Sequence, residues 1–397
     1  VAEKRPTILQ IIPELDTGGA ELSTIEIAEA VHSAGGRCIV LTEGGRLVQR
    51  LRDTGAEVNF FAAASKNPLR LLWNARRMAA IVRRNGVDLI HARSRAPAWS
   101  ALLAARQTGV PFVTTYHGAY SEKSDLKRLY NSVMARGDAI IANSNYTCDL
   151  IRMRYGTPRA KIRVIYRGVD GTLFDPAKIA ESRVAAVRQR WGVTPDQRVV
   201  LHPARLTPWK GQRIVIDAAA LLAEQRALDD VVVVLAGDAQ KRSAYRSALM
   251  QQISAAGLED RVRLVGHESD MAAAYRAAHV AVVASIEPEA FGRTATEAQV
   301  MATPVIATDI GAPPETVRGR TGIAPDRATG WLVPPGDAAS LAHALGEALS
   351  MTPKESAGMA TRARAHVLAS YSLRQMKQQT LQVYDSLLGT HLAEAAT

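Results

Sequence analysis

Short β-branched runs alternate with amphipathic helical stretches along most of this chain, and the alternation breaks once and restarts; no other feature limits the fold as much. Alternation of this kind demands parallel strands joined by crossover helices. Strands are expected at 7–12, 38–42, 58–60, 88–92, 112–116, 139–142 and 161–165, with helices of 3.6-residue apolar period at 20–33, 68–85, 98–107, 123–136 and 146–154 between them. A polar stretch runs from Gly168 to Asp196, after which strands at 198–202, 231–236, 262–265, 280–284 and 304–308 alternate with helices at 211–225, 242–256, 271–278 and 294–301. The segments 338–350, 353–368 and 373–388 read as wholly helical. The expected fold class is therefore α/β with two Rossmann-like doubly wound domains, 1–185 and 186–370, and a terminal helical segment 371–397. Length agrees, because 397 residues exceed what one core of about 250–300 residues usually holds.

Composition excludes more than it selects. Hydrophobic residues make up 47% and charged residues 22%, an ordinary globular balance. Cys38 and Cys148 stand far apart, so neither a disulfide framework nor a zinc knuckle is expected and a reducing compartment fits best. The opening Val1-Ala2-Glu3-Lys4-Arg5-Pro6 leads into a strand-like run with no apolar leader, and no stretch reaches the ~18 apolar residues needed to span a bilayer. A cytoplasmic protein is expected, at most peripheral at the inner face of the plasma membrane. The net charge of +11 calls for an anionic partner: a phosphorylated substrate, acidic lipid or nucleic acid. Nucleic acid is the weakest of these, since aromatics are only 5% and no stacking or finger pattern appears.

In open parallel sheets, ligands collect at the carboxyl ends of the strands, so the strand-to-helix loops are where chemistry is sought. The strongest signal there is Glu289-Ala290-Phe291-Gly292-Arg293-Thr294-Ala295-Thr296-Glu297, two glutamates with seven residues between them at a helix start. Amides around Phe291, Gly292 and Arg293 suit a pyrophosphate. A carboxylate suits vicinal hydroxyls of a ribose or hexose. Taken alone, a helix cap followed by a solvated glutamate explains the pattern equally well. Arg205 and Lys210, in Arg205-Leu206-Thr207-Pro208-Trp209-Lys210-Gly211, put a planar fork and a point charge on one loop, fit to clamp a diphosphate or merely to be surface cations. His117-Gly118 closes a first-domain strand, where an imidazole can bond a sugar hydroxyl or be structural. Asp16-Thr17-Gly18-Gly19 makes a turn whose amides can meet a phosphate or the acceptor. Gly237 and Gly266-His267 end later strands, and plain turn chemistry accounts for them almost as well.

Glu289…Glu297, the small-residue helix after it and Pro304-Val305-Ile306-Ala307-Thr308 together resemble the retaining GT4-type glycosyltransferases of the GT-B fold. The resemblance covers nearly the whole chain and is most specific from Arg205 to Glu315. It implies that Glu289 contacts the transferred sugar, Glu297 holds the nucleotide ribose, and Arg205 with Lys210 clamps the diphosphate. It also implies that His117 and Gly118 border the donor sugar, that Gly18 and Gly19 face the pyrophosphate across a central cleft, and that Gly237, Gly266 and His267 border ribose and base. A terminal helix near 373–388 is expected to cross back to the first domain. Arg293-Thr294 departs from the family, where many members carry two aliphatic residues.

The expected reaction is transfer of a hexosyl unit from a UDP- or GDP-sugar to a glycan or lipid-linked acceptor, with retention, as in lipopolysaccharide or other surface-glycan synthesis. No cofactor is expected. No Asp-x-Asp occurs, so no metal is expected either, and cations and helix dipoles take its place. Basic amphipathic stretches at 69–77 and 123–130 fit a peripheral anionic membrane surface, or ordinary solvated helix faces. A nucleotide-sugar epimerase or hydrolase of the same fold and a non-catalytic binding protein are the competing readings.

Overall fold

The protein is described by a computed structural model that covers all residues except 1–4, 17, 66, 121, 123, 240, 241, 321, 322, 396 and 397. Residues 1–4, Thr17 of the glycine turn and Lys123 of the second basic stretch therefore lie outside the described residues. The chain forms two compact units, Val1–Gly168 with Leu373–Thr397, and Val169–Ser372.

The first unit runs β1 (Thr7–Ile11), α1 (Gly19–Ser33), β2 (Arg37–Thr42), α2 (Val48–Arg52), β3 (Glu57–Phe60), α3 (Pro68–Asn85), β4 (Leu89–Ala92), α4 (Arg95–Thr108), β5 (Phe112–Tyr116), α5 (Asp125–Asn131), β6 (Ala139–Ala142), α6 (Asn145–Tyr155) and β7 (Ile162–Val164). Its strands form one seven-stranded sheet in the order β3-β2-β1-β4-β5-β6-β7. Every adjacent pair is parallel. All five residues of β1 are buried, as a strand covered on both faces requires. Alternation divides them: Leu9 and Ile11 join a core with Met78, Ala101 and Ile151, while Ile8 joins another with Ile25, Val31 and Val113. Helix α3 shows how local chemistry sets an element's bounds. The Asn67 side chain accepts from the Leu69 and Arg70 amides, Pro68 occupies the first turn, and Gly86 ends the helix in the left-handed region. Helix α5 is shorter than the expected 123–136, because Ser124 caps it and residues Ser132–Ala135 tighten into a 3-10 turn.

The second unit runs α7 (Glu181–Trp191), β8 (Arg198–Pro203), α8 (Gln212–Glu224), β9 (Val231–Ala236), α9 (Ser243–Ala255), β10 (Val262–Gly266), α10 (Met271–Ala277), β11 (Val280–Val283), α11 (Arg293–Val300), β12 (Val305–Thr308), α12 (Pro313–Thr316), β13 (Trp331–Val333), α13 (Ala338–Ser350) and α14 (Pro353–Ser370). Its six parallel strands are ordered β10-β9-β8-β11-β12-β13. Residues 169–185, expected in the first domain, fall within this unit. Val169 bonds the Tyr371 carbonyl, Phe174 meets Tyr275 edge-on, and Arg183 forks onto Asp270. The polar stretch thus contains α7, whose Val184, Val187 and Trp191 are buried.

Helices α15 (Leu373–Leu388) and α16 (Leu392–Ala395) belong to the first unit. There Met376, Leu381, Val383 and Tyr384 enter the core that holds α1. The Tyr384 hydroxyl lies 2.6 Å from His91 Nδ1 at the centre of the sheet. Among the described residues no helix is long and apolar enough to cross a membrane.

Candidate functional site

Each sheet reverses its strand order at one point, between β1 and β4 in the first unit and between β8 and β11 in the second. The loops leaving those strand pairs splay apart and leave room for a ligand. In the second unit the loop after β8 carries Arg205 and Lys210, and the loop after β11 carries Ser285 and Glu289. Lys210 Nζ lies 2.5 Å from Glu289 Oε1, and both side chains are largely buried, 15% and 11% exposed. Ser285 Oγ donates to the same carboxylate oxygen at 2.5 Å. Burial by itself would raise the Glu289 pKa, but the Lys210 charge and the bonds from Lys210 and Ser285 hold it below the usual carboxylate range. The Lys210 ammonium also lies 4.2 Å above the Trp209 ring. Beneath this pair, His202 is buried and its pKa is pushed down to about 4, chiefly by desolvation. It is therefore neutral at pH 7, with Nδ1 bonded to the Val282 carbonyl at 2.9 Å.

Backbone geometry explains why glycines stand in these loops. Gly211 has φ +76, and a Cβ there would meet the Ala284 carbonyl oxygen at 1.9 Å, so only glycine lets the two loops touch. A Cβ on Gly237 would meet the Ala204 carbonyl oxygen at 1.9 Å, which gives that glycine a packing role. Glu289 is pinned through its own backbone, its carbonyl accepting the Ala312 amide at 2.9 Å.

Glu297 sits inside α11, one turn past its left-handed N-cap Gly292. Its Oε1 accepts Arg293 Nε at 3.2 Å and its Oε2 accepts the Tyr275 hydroxyl at 3.2 Å. Arg293, the departure from the aliphatic family pattern, thus makes an i,i+4 ion pair. Phe291 is buried and packs edge-on against Tyr371, which makes it an anchor of the loop. Three further residues read as part of the site stand open to solvent. Arg205 is exposed and has no side-chain partner among the described residues. Gly266 and His267 are exposed at the end of edge strand β10, with β9 between it and β8.

In the first unit His117 follows β5, with Nδ1 2.6 Å from Arg167 Nη2. A guanidinium can only donate, so Nδ1 accepts and the ring proton sits on Nε2. That Nε2 is closed off from solvent and has no partner. Burial first, then the charges of Arg167 and Arg93, hold the His117 pKa well below its ordinary value, so the imidazole is a neutral donor. Gly18 is the N-cap of α1, and a Cβ on Gly19 would lie 2.0 Å from Arg167 Nη1, so the glycine turn makes room for that guanidinium. Gly118 has no such constraint, its nearest neighbour being the Tyr120 ring at 3.4 Å. The sequence reading missed Arg167, Arg93 and Arg95. The available signal was an arginine directly after β4 and another just before the polar stretch that begins at Gly168. Among the described residues no group of three or more His, Cys, Asp or Glu side chains is placed to hold a metal ion.

Comparison with known proteins places this geometry in a family. The Glycosyltransferase Family 4 description matches residues 17–172, and Glycosyl transferases group 1 matches residues 184–366. The D-inositol 3-phosphate glycosyltransferase of Salinispora tropica is 29% identical over 322 residues, 77% of this chain and 65% of that relative, so the match spans just under two thirds of its length. The crystal structure of a glycosyltransferase from Rickettsia africae superposes with a TM-score of 0.88 at 33% identity, over 98% of this chain and 100% of that one. HepE of Anabaena in complex with UDP and glucose follows at a TM-score of 0.83 and 27% identity, over 96% and 100% of the two chains. With two Rossmann-like sheets, both halves matched and a relative aligned end to end, this chain belongs to the GT4-type glycosyltransferases of the GT-B fold.

Proposed function

We propose that the protein is a retaining hexosyltransferase, taking its sugar from a UDP- or GDP-sugar and passing it to a glycan or lipid-linked acceptor in surface-glycan or lipopolysaccharide synthesis on the cytoplasmic side of the membrane. The observation that carries this reading is the Lys210–Ser285–Glu289 cluster at the strand-order reversal of the second unit. UDP-glucose is the first donor to try, since HepE has been crystallised with it.

The chemistry follows from the groups present. The bond from the anomeric carbon to the diphosphate oxygen breaks, and negative charge grows on the departing nucleotide. Lys210 and Arg205 stabilise that charge, together with amides at the start of α11, more strongly in the transition state than in the ground state. Glu289, held ionised, accepts bonds from sugar hydroxyls, and Glu297 accepts from the ribose. His117 is assigned to the donor sugar, its Nε2 proton, buried in the free protein, reaching a sugar hydroxyl oxygen once neighbouring side chains shift. One Glu289 oxygen is already engaged by Lys210 and Ser285, which favours a holding role over nucleophilic attack. Retention then arises from same-face transfer: the acceptor oxygen bonds to the anomeric carbon and its proton passes to the leaving phosphate. The test is a panel of UDP-, GDP- and ADP-sugars, with the product anomer read by proton NMR, with and without EDTA. An α-linked product from an α-configured donor, at a rate unchanged by EDTA, is expected. An inverted linkage, an epimerised sugar or release of free sugar alone overturns the reading.

A peripheral membrane location has its own support in the first unit. On α3, Leu69, Leu72 and Trp73 are 77%, 52% and 55% exposed beside Arg70, Arg76 and Arg77. On α5 and α6, Leu126, Leu129 and Met153 are exposed, and Leu129 and Met153 line a surface hollow of about 510 Å³ together with Asp125, Arg128, Arg136 and Arg154. Apolar side chains ringed by cations suit an anionic leaflet. Co-sedimentation with acidic vesicles is expected at low salt and should weaken at high salt, whereas no binding at low salt dismisses the idea.

A further inference from the structure

The resemblance to the family breaks at two adjacent positions, Arg293 and Thr294, where many members carry aliphatic side chains. In the structure both departures converge on one group, the Glu297 carboxylate. Arg293 Nε donates to Glu297 Oε1 at 3.2 Å, and the Tyr275 hydroxyl, from helix α10, donates to Oε2 at 3.2 Å. The Thr294 side chain bonds the Tyr275 hydroxyl in turn. Tyr275 is 1% exposed, and burial, followed by the Glu297 charge, holds its pKa well above the ordinary value, so it keeps the proton that it donates. Its backbone is tied as well, the carbonyl accepting Thr303 Oγ1 at 2.8 Å. The carboxylate is thus held at both corners by groups from two helices, which sets the direction of its plane. An ionised carboxylate has about four acceptor sites, more than these two bonds use.

Helix stability does not account for Arg293. As the first residue of α11, directly after the N-cap Gly292, it puts a cation at the positive end of the helix dipole. An i,i+4 pair with the cation on the N-terminal side is also the weaker orientation on a helix. The placement works against the helix and in favour of a fixed carboxylate. Arg293 and Glu297 are each 15% exposed, so a ligand can reach the carboxylate, whereas Tyr275 acts only from behind it.

We propose that Arg293 is a positioning residue for the nucleotide ribose: with Tyr275 it holds the Glu297 carboxylate in the orientation that receives the two vicinal hydroxyls. The inference rests on the reading of Glu297 as the ribose acceptor. Each hydroxyl donates to one carboxylate oxygen, and both bonds are charge-assisted. Arg293 acts through Glu297, which separates it from Arg205 and Lys210 and their task on the diphosphate. Without Arg293 the acceptor stays in place but turns about its side-chain torsions, and the entropy of fixing it falls on the ligand.

The test is a cycle between variant and ligand, read by isothermal titration calorimetry on the full chain. UDP and GDP are compared first, and the tighter binder is paired with its 2′,3′-dideoxy analogue. The wild-type chain should bind the ribose form about tenfold or more tightly than the dideoxy form. Arg293→Leu installs the kind of side chain that many members carry, so the fold should tolerate it. This variant should reduce the ratio at least about threefold, weakening the ribose form while hardly changing the dideoxy form. A purely structural role, or a contact with the diphosphate, would weaken both ligands equally and leave the ratio intact, and that result overturns the proposal. Glu297→Gln, measured alongside, tests the underlying reading, and an unchanged ratio there refutes the ribose assignment itself. A ratio that collapses in Glu297→Gln but persists in Arg293→Leu overturns the positioning role alone. Failure of both diphosphates to bind the wild-type chain overturns the reading and the inference together.

Discussion

The two units hold the cations at the ends of their sheets in different ways. In the second, each buried cation beside the reversal point has an anion in reach: Lys210 has Glu289 and Arg293 has Glu297. In the first, Arg93 bonds the Gln10 amide oxygen with the buried Glu26 carboxylate acting on it, Arg95 bonds Asn131 and lies over the Tyr120 ring, and Arg167 bonds the His117 imidazole. A paired site keeps its side chains in place before any ligand arrives, at the cost of having to share them. The contrast predicts that substitutions in the second unit are felt in both stability and chemistry, whereas those in the first are felt chiefly in binding.

Glu289→Ala offers the harshest way to break that comparison. Losing a group that acts on the reacting sugar should lower kcat by about 10²–10³-fold. The variant also strands Lys210 in a site where it is 15% exposed, and breaking a buried pair typically costs about 3–5 kcal/mol. The double variant Glu289→Leu with Lys210→Met removes both charges and should regain most of that stability while remaining inactive. Urea unfolding and donor turnover on the three proteins separate the effects. Full turnover by Glu289→Ala would sink the catalytic assignment, and a double variant no more stable than the single one would show that the pair is not what holds the loops.

Much of the second-unit site was legible because its parts lie close in sequence and follow a spacing rule. Glu289 and Glu297 share one loop and helix, and Lys210-Gly211 carries its own steric reason in the left-handed Gly211. The meeting of His117 with Arg167 was not legible. Fifty residues separate them, and only the parallel order β5-β6-β7 brings their loops to one end of the sheet. Arg93 looked like one of many surface arginines, since nothing in its neighbourhood announces that Gln10, on another strand, will bury it. The elements that escaped notice were short or polar. β13 has only three residues, and α7 shows little apolar face beyond Val184, Val187 and Trp191. The α3 and α15 helices, long and strongly two-faced, were plain.

The smaller and more general consequence concerns protons. Deep burial holds the His117 and His91 imidazoles neutral, with the Arg167 and Arg93 charges adding to the effect on His117, and burial does the same to His202 in the second unit. A histidine whose folded pKa is depressed binds fewer protons when native than when unfolded. Lowering pH through the unfolded value near 6.5 therefore destabilises the fold, and the loss continues until the folded pKa is reached, about 4 for His202. Each such histidine contributes a slope of about 1.4 kcal/mol per pH unit in that window. Three buried neutral rings should make stability fall steeply from pH 6.5 to 5 while it stays flat above pH 7, as read from urea midpoints. Replacing His117 with Asn should remove one proton's share of the slope. Transfer activity, by contrast, should show no inflection near pH 6.5 from His117, because the ring is already neutral there. A stability profile flat across that interval, or an activity loss centred on 6.5 that vanishes in His117→Asn, would mean that the arginines do not surround this imidazole as closely as their charges require.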